Sequence, residues 1–220
     1  MPKVKEEYIA GKRNTIIKCA NEVFQEKPLY QITMRDIIAK TGFGQGTIYR
    51  YYENIDAIFL DSINRSTPSD TMESRIERLT NSHQTESAIV FNCVIAIGEY
   101  IQELQKTLGG KILFSLLVLY AFDPQKKESV IQKLAFSQSL SGAQSRIATY
   151  TQQNIEKGVF KPILPFDAIL RFTQSAIDGI ANDAAIHSIE NRSDTNILEQ
   201  FESLANALLY FLGATGREIG

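Results

Sequence analysis

The sequence has few of the residues that build metal, redox or disulfide sites. It contains two cysteines, Cys19 and Cys93, and two histidines, His83 and His187, in 220 residues. The cysteines are far apart and form no CxxC pair, so we expect reduced, buried thiols in a cytosolic protein. A zinc or iron site needs several converging ligands, for which two separate histidines are poor material. The sequence therefore predicts neither a metal nor a cofactor.

Long hydrophobic runs are also missing. The apolar run 112–122 is far too short to span a bilayer as a helix. The first residues are polar and charged, unlike those of a signal peptide. We therefore expect a cytoplasmic protein that does not interact with membranes.

The residue patterns of common enzyme sites are absent as well. The sequence contains no motif that pairs a nucleophile with a base and no glycine-rich phosphate loop. Asp178 and Asp183 are five residues apart on a predicted helix, so their carboxylates do not face one another. These absences argue against an enzyme.

The charges are unevenly distributed, although the net charge is only −2. Residues 1–52 contain nine lysines and arginines but five aspartates and glutamates, which gives +4 against −6 for the remainder. A basic N-terminal quarter on an acidic body is typical of a small nucleic-acid-binding head on a larger module. Ordinary scatter of surface charges is the alternative, and charge alone does not decide between them.

Apolar residues recur at helical spacing along nearly the whole chain, and no strand pattern of convincing length is present. The sequence therefore predicts an all-α fold. The first helix is predicted to end near Lys27, before Pro28, and the fourth is predicted to be capped by Asn54. Three further helices are predicted, namely a short one at 75–79, a long one at 86–108 that ends at Gly109 and Gly110, and a buried one at 111–120. The next helix runs from Pro124 to Gly158, and the last two span 166–189 and 194–212, the second of which ends at Gly213.

The most informative segment is 33–52, TMRDIIAKTGFGQGTIYRYY. Thr33 and Asp36 have the spacing of a capping box at the start of a short helix. Gly42 suits the left-handed position after that helix, and a further helix is predicted from Gln45 to Tyr51. Two short helices joined so tightly cross steeply, and the first helix of the chain can cover their shared apolar side. The segment is thus predicted to be a helix-turn-helix in a three-helix head.

The second helix of such a pair can enter the DNA major groove. Its side chains suit hydrogen bonds to bases and phosphates and contacts with thymine methyl groups. The start of the preceding helix offers free N–H groups to a phosphate. Phe43, Ile48 and Tyr52 are predicted to be buried. The predicted DNA-binding residues are Thr33, Arg35, Gln45, Thr47, Tyr49, Arg50 and Tyr51.

Each of these assignments has a structural alternative. Thr33 can serve only as a helix cap, Tyr49 and Tyr51 can pack in the core, and Arg35 and Arg50 can be solvated surface charges. Because Ile48 and Tyr52 already occupy the inward positions, helical spacing favours exposure of the other two tyrosines.

The pattern of the head resembles that of the TetR family of bacterial transcriptional regulators. The matching residues, in order and spacing, are Thr33, Asp36, Ile37, Ala39, Gly42, Gly46, Thr47, Tyr49, Tyr52, Ala57 and Ile58. The resemblance implies a DNA-binding domain at 1–53 and an effector-binding and dimerisation domain at 54–220. It also implies a homodimer, most often a repressor, on a palindromic operator. An effector would move the fourth helix and release the DNA.

Three residues depart from the family pattern. Pro28 stands where glycine is usual after the first helix. Gly44 replaces a common serine at the turn, and Ile55 replaces a common lysine at the start of the fourth helix. The last two changes remove potential phosphate contacts, which lowers the expected affinity and salt dependence of DNA binding. The rival hypothesis is therefore a helical ligand-binding or interaction module with weak or no DNA binding.

In the body, aromatic residues suit a largely apolar pocket for a small apolar or amphipathic effector, although core packing explains each of them equally well. The candidates are Phe91, Tyr100, Phe114, Tyr120, Phe136 and Tyr150. The resemblance implies that the last two helices form a four-helix dimer interface, although packing within the chain would give the same pattern. The candidates there are Phe172, Ala176, Gly179, Ile180, Leu204 and Leu208.

Overall fold

The computed structural model describes residues 2–66, 70–189 and 196–214. Within these ranges the chain forms α-helices and one 3₁₀ turn, Leu29–Gln31, and contains no strand, which confirms the all-α fold class. The helices are α1 (Pro2–Glu26), α2 (Met34–Thr41), α3 (Gln45–Tyr51), α4 (Ile55–Ser66), α5 (Met72–Thr80), α6 (Glu86–Lys106), α7 (Leu108–Leu119), α8 (Pro124–Ile131), α9 (Ala135–Glu156), α10 (Phe166–Ile189) and α11 (Ile197–Phe211).

The chain forms two compact units. The first comprises residues 1–67 and 107–134, and the second comprises residues 68–106 and 135–220. The first unit thus holds α1–α4 with α7 and α8, and the second holds α5, α6 and α9–α11. The predicted boundary between residues 53 and 54 does not coincide with the division between these two units. It separates the residues expected to bind DNA from those expected to bind an effector, and it stays a prediction.

A single apolar core joins α1 to α4 in the first unit. Each helix places at least one fully buried isoleucine in it, and α1 contributes its whole inward stripe, as expected for the helix that covers the other two. Phe24 of α1, which packs against this cluster, also contacts Phe59 of α4, with ring centroids 5.2 Å apart. The buried residues of the cluster are Ile16, Ile17, Ala20, Val23, Ile32, Ile37, Ile48, Tyr52 and Ile58.

The start of α7 differs from the sequence prediction. The glycines Gly109 and Gly110 lie in the first turn of α7 rather than ending α6, because the side chain of Thr107 accepts a hydrogen bond from the Gly110 amide at 2.9 Å and caps a new helix. A Cβ at Gly109 would lie 2.4 Å from the Cβ of Ser66. The glycine is needed there for close packing of α7 on α4, and not as a terminator.

The predicted helix from Pro124 to Gly158 was also wrong, because α8 ends at Ile131 and α9 begins at Ala135. The start was predicted correctly, since Asp123 accepts a hydrogen bond from the Lys126 amide at 3.0 Å. The Leu134 amide donates to the Ile131 carbonyl at 3.0 Å, closing a tight turn. Leu134 is 1% exposed, so burial of an apolar side chain accompanies a break that contains no proline or glycine.

In the second unit α11, α5 and α9 pack on α6. By length and composition α6 could cross a membrane, but half of its most apolar window is buried inside the protein, as in a core helix. Asn196 caps α11 and Gly213 ends it in the left-handed region at φ 66°. The predicted start of this helix at 194 lies outside the described residues.

Candidate nucleic-acid interface

The start of α2 is fixed by the predicted capping box. The Thr33 side chain accepts from the Asp36 amide at 3.4 Å, and Asp36 Oδ2 accepts from the Thr33 amide at 2.9 Å. Lys27 Nζ lies 2.5 Å from Asp36 Oδ1. The hydrogen bonds from Lys27 and Thr33 lower the pKa of the Asp36 carboxyl to about 2. The negative charge at this end of α2 is therefore paired within the head, and Arg35 beside it is exposed.

The turn between α2 and α3 depends on two glycines with different roles. Gly42 has φ 66° and ψ 8°, and its amide donates to the Ile38 carbonyl at 3.2 Å. This is the predicted left-handed end of α2. Gly44 is extended, at φ −61°, and a Cβ added there would meet nothing within 4 Å. A serine at position 44 would therefore fit, so the absence of its hydroxyl is not imposed by the fold.

The orientation of α3 is set by Ile48, which is fully buried, and by Tyr52, which is 3% exposed. At about 100° of rotation per residue, Gly46 and Arg50 lie opposite Ile48. Tyr49, 45% exposed, lies to one side of them.

The predicted DNA-binding residues of α3 thus differ in how far they are exposed to solvent. Gln45, Tyr49 and Arg50 are exposed, whereas Thr47 and Tyr51 are half-buried. The sequence prediction missed Gly46, which is exposed and has open space where a Cβ would be. The sequence feature that could have identified Gly46 is its position two residues before Ile48, which places it on the outer face of α3.

The far end of α3 is bonded to α4. The Tyr52 hydroxyl donates to Asp61, and Arg65 Nε donates to the same carboxylate at 2.8 Å. Arg65 also donates to Asn14 Oδ1 of α1 at 2.6 Å. Burial and then the hydrogen bond to Asp61 raise the pKa of Tyr52, which therefore stays protonated and donating. Burial alone would raise the pKa of Asp61, but the hydrogen bonds from Arg65 and Tyr52 lower it.

A second aspartate of α4 is bonded to the segment 107–134. The Tyr120 hydroxyl donates to Asp56 Oδ1 at 2.8 Å, and Lys126 Nζ lies 3.5 Å from Asp56 Oδ2. The same ammonium lies 4.3 Å from the centroid of the Tyr120 ring. Tyr120, a predicted pocket residue, donates this hydrogen bond to the first turn of α4 within its own unit.

Only some of the basic residues of the head remain available to an anion. Lys27 is paired with Asp36, and Lys40 Nζ lies 2.7 Å from Glu26 Oε1. By contrast, the part of the chain that the structure describes offers no carboxylate within 4 Å to five other cations. These are Lys12, Arg13, Lys18, Arg35 and Arg50.

The predicted pocket residues are divided between the units. Phe114 and Tyr120 belong to the first, and Phe91, Tyr100 and Tyr150 belong to the second, where Tyr100 is 4% exposed. The side chain of Phe136 lies outside the described residues. The Tyr100 hydroxyl is buried without a hydrogen-bond partner among the described residues, with the Arg75 guanidinium 5.3 Å from its ring centroid. A buried, unpaired hydroxyl is uncommon in folded proteins.

The predicted dimer residues differ in their surroundings. On α10, Phe172 is 50% exposed and Gly179 is exposed, while Ala176 and Ile180 are half-buried. The residues predicted on α11 are less accessible than those on α10, and helical spacing does not tell an interface from a core. Leu204 and Leu208 are each 6% exposed and belong to the interior of the second unit, whereas Tyr210 of α11 is 69% exposed.

No group of three or more histidine, cysteine, aspartate or glutamate side chains within the described ranges is arranged to hold a metal ion.

Residues 16–61 match the model of the bacterial regulatory proteins, tetR family. The chain is 24% identical over 205 residues to the HTH-type transcriptional regulator YfiR of Bacillus subtilis, covering 92% of this chain and 94% of that protein.

Solved structures share the fold over most of the chain. A TetR-family regulator from Mesorhizobium loti superposes with a TM-score of 0.59 at 17% identity, over 92% of this chain and 96% of that one. Thermus thermophilus FadR, a TetR-family repressor in complex with lauroyl-CoA, superposes with a TM-score of 0.56 at 18% identity, over 94% of this chain and 96% of that one. Bacillus subtilis FadR in complex with stearoyl-CoA superposes with a TM-score of 0.52 at 20% identity, over 88% of this chain and 96% of that one.

The matched segment 16–61 contains α2, the glycine turn, α3 and most of α4, so the sequence match and the geometry identify the same DNA-binding helix-turn-helix. The related proteins are regulators and not enzymes. Residues 16–61 thus match the tetR family of bacterial regulatory proteins, and the chain is similar to transcriptional regulators over most of its length.

Proposed function

We propose that this regulator is a cytoplasmic repressor that binds a near-palindromic operator as a homodimer and leaves it when a small effector binds. The observation that carries the proposal is the orientation of α3. Buried Ile48 and Tyr52 fix one side of the helix, and the opposite side presents Arg50 between Tyr49 and Thr47. This is the side that can face the floor of a major groove.

The side chains of this face suit distinct contacts. Gln45 can pair with an adenine edge and Arg50 with a guanine edge or a phosphate. Thr47 and Tyr49 suit phosphate oxygens or a thymine methyl group. Thr33 and Arg35, at the start of α2, would contact the phosphate backbone and fix the register. Tyr51, half-buried at the end of α3, would add a phosphate contact at the edge of the interface.

A homodimer would place two such helices in successive major grooves, about 34–36 Å apart. The exposed apolar residues of α10 support the second unit as the dimer interface. Phe172 is 50% exposed and Ile186 is 47% exposed, and a two-fold interface would bury both on each subunit. Residues 54–220 would then serve for effector binding and dimerisation, and residues 1–53 for DNA binding.

The effector is proposed to be apolar or amphipathic. The unpaired Tyr100 hydroxyl, whose ring lies beside the Arg75 guanidinium, would give such a molecule a hydrogen bond. Because two related structures hold lauroyl-CoA and stearoyl-CoA, long-chain acyl thioesters are the first class of molecule to test. Reciprocal linkage requires that a saturating effector change operator affinity.

The rival function is a ligand-binding module with weak or no DNA binding. Gly44 and Ile55 favour it, because both positions lack the side chain that commonly contacts phosphate in the family.

Selection from a pool of random duplexes, at low and at high salt, separates the two functions. Enrichment of a two-fold-symmetric sequence with a steep salt dependence supports the repressor. A folded dimer that enriches no sequence supports the rival. An acyl-CoA series then tests displacement from the selected duplex.

A further inference from the structure

We infer that the first half of α1 is a second DNA-contacting element, in which Lys12 binds a backbone phosphate beside the start of α3. This inference rests on the proposed DNA binding and adds a residue outside the helix-turn-helix.

The position of Lys12 is fixed by the turn that precedes α3. Its Nζ lies 4.2 Å from the centroid of the Phe43 ring and 5.8 Å from that of Tyr8. Phe43 stands between Gly42 and Gly44, two residues before Gln45 begins α3. The ammonium is therefore held beside the turn that precedes α3, rather than at the free end of a side chain without neighbours.

The charge of Lys12 is not neutralised by the described part of the protein. Contact with ring faces attracts an ammonium but leaves its full charge and its N–H donors available. Lys27 and Lys40, which also belong to the head, are each paired with carboxylates at 2.5–2.7 Å. Lys12 thus differs from them in having aromatic neighbours and no acid within 4 Å among the described side chains.

The adjoining part of α1 contributes no residue to the buried core cluster of the head. Residues 7–11 are all exposed, and the buried stripe of α1 begins only at Ile16. At about 1.5 Å per residue, α1 extends roughly 20 Å from Ile16 to its start at Pro2. Glu7, the exposed acid of this stretch, lies about 140° around the helix axis from Lys12. It therefore does not share the face of α1 on which Lys12 lies.

This placement also bears on the missing phosphate contacts. Gly44 lacks the serine hydroxyl that commonly serves this turn, and Lys12 brings a cation to Phe43, the residue next to it. A cation held there supplies a phosphate contact to the same turn from a different helix.

The test compares two lysine substitutions that change the net charge equally. Lys12→Gln removes the proposed contact, and Lys18→Gln is the matched control, because Lys18 is exposed, lies on α1 and is turned about 120° from Lys12. The affinity of each full-length protein for a mixed-sequence duplex and for the selected duplex is measured across a salt series. Unfolding midpoints establish that each variant is folded, and Lys12→Arg tests rescue by a conserved charge.

We expect Lys12→Gln to lower the slope of log affinity against log salt by about 0.9, equally for both duplexes. The ratio of wild-type to Lys12→Gln affinity should then shrink about 3.5-fold between about 50 and 200 mM salt. Lys18→Gln and Lys12→Arg should keep the wild-type slope. If folded Lys12→Gln keeps that slope as well, the inference is wrong while the DNA-binding function stands. If the wild-type protein shows no salt-dependent binding to either duplex, the proposed function itself fails.

Discussion

The hydroxyl of Tyr52 donates a hydrogen bond to the carboxylate of Asp61, which ties the residue after α3 to the middle of α4. Five residues earlier on α4, Asp56 accepts a hydrogen bond from Tyr120. The two aspartates lie about 140° apart around the helix axis, so α4 is held from two sides. Any displacement of α4 therefore acts on α3 through the Tyr52 contact.

Removal of the Tyr52 hydroxyl should weaken both folding and DNA binding. Tyr52→Phe keeps the buried ring but deletes a hydrogen bond to a charged group, which contributes about 1.5–3 kcal/mol to the free energy of unfolding. Urea unfolding measures this loss, and titration with the selected duplex measures the change in affinity. Tyr30→Phe is the control, since Tyr30 is 70% exposed. Equal stability of the two variants would contradict the role given to the Asp61 contact.

The capping box predicts a specific dependence of stability on pH. Asp36 has its pKa lowered to about 2 in the folded protein, below the value of about 3.9 for an unfolded chain. The carboxylate therefore stabilises the fold fully above the unfolded value, and this contribution is lost as pH falls from about 4 towards about 2. The gap in unfolding free energy between wild type and Asp36→Asn should be constant near neutral pH and narrow below about pH 4. A gap that is unchanged by acid would show that the carboxylate charge contributes nothing.

Gly46 should be required for DNA binding and not for folding. Glycine inside a helix costs about 0.5–1 kcal/mol relative to alanine, and a Cβ at Gly46 meets nothing within 4 Å. Gly46→Ala should therefore raise the free energy of unfolding by about that amount. Because Gly46 lies opposite Ile48, the added methyl group should lower affinity for duplex DNA. A variant that is more stable and binds DNA as tightly as wild type would show that DNA does not approach α3 closely there.

The two helices at the end of the chain should respond differently to substitution. Phe172→Asp places a charge on a half-exposed position of α10 and should shift dimer to monomer in sedimentation, with a small effect on folding. Leu204→Ala should leave association unchanged but cost about 2–5 kcal/mol of stability, because it empties a buried position. A dimer that survives Phe172→Asp and dissociates with Leu204→Ala would reverse this assignment.

The parts of the fold that were predictable from sequence are those set by local interactions. The cap at Thr33, the left-handed Gly42 and the proline at 124 each act within a few residues, and all were predicted correctly. The break before Ala135 was not predictable, because it has no breaker residue and accompanies burial of Leu134 by the folded chain.

The same distinction applies to the candidate site. Spacing alone placed Tyr49 outside and Ile48 inside, because α3 has one buried side. Spacing did not show that Leu204 faces the interior of its own unit, since tertiary packing decides what an apolar helix face contacts. Lys12 was also missed, because its relation to Phe43 joins residues 31 positions apart in the sequence.

Substitution of Arg50 tests most directly whether the outer face of α3 reads DNA sequence. Arg50 lies opposite buried Ile48, is exposed and has no acid partner among the described residues. The measurement is the affinity of wild type and Arg50→Ala for the selected duplex and for a mixed-sequence duplex at the same salt concentration. If Arg50 pairs with a base, the selected duplex should lose about 1–3 kcal/mol more binding free energy than the mixed one. Equal losses on both duplexes would limit Arg50 to phosphate contact, and unchanged affinity for both would contradict the claim that this face of α3 meets DNA.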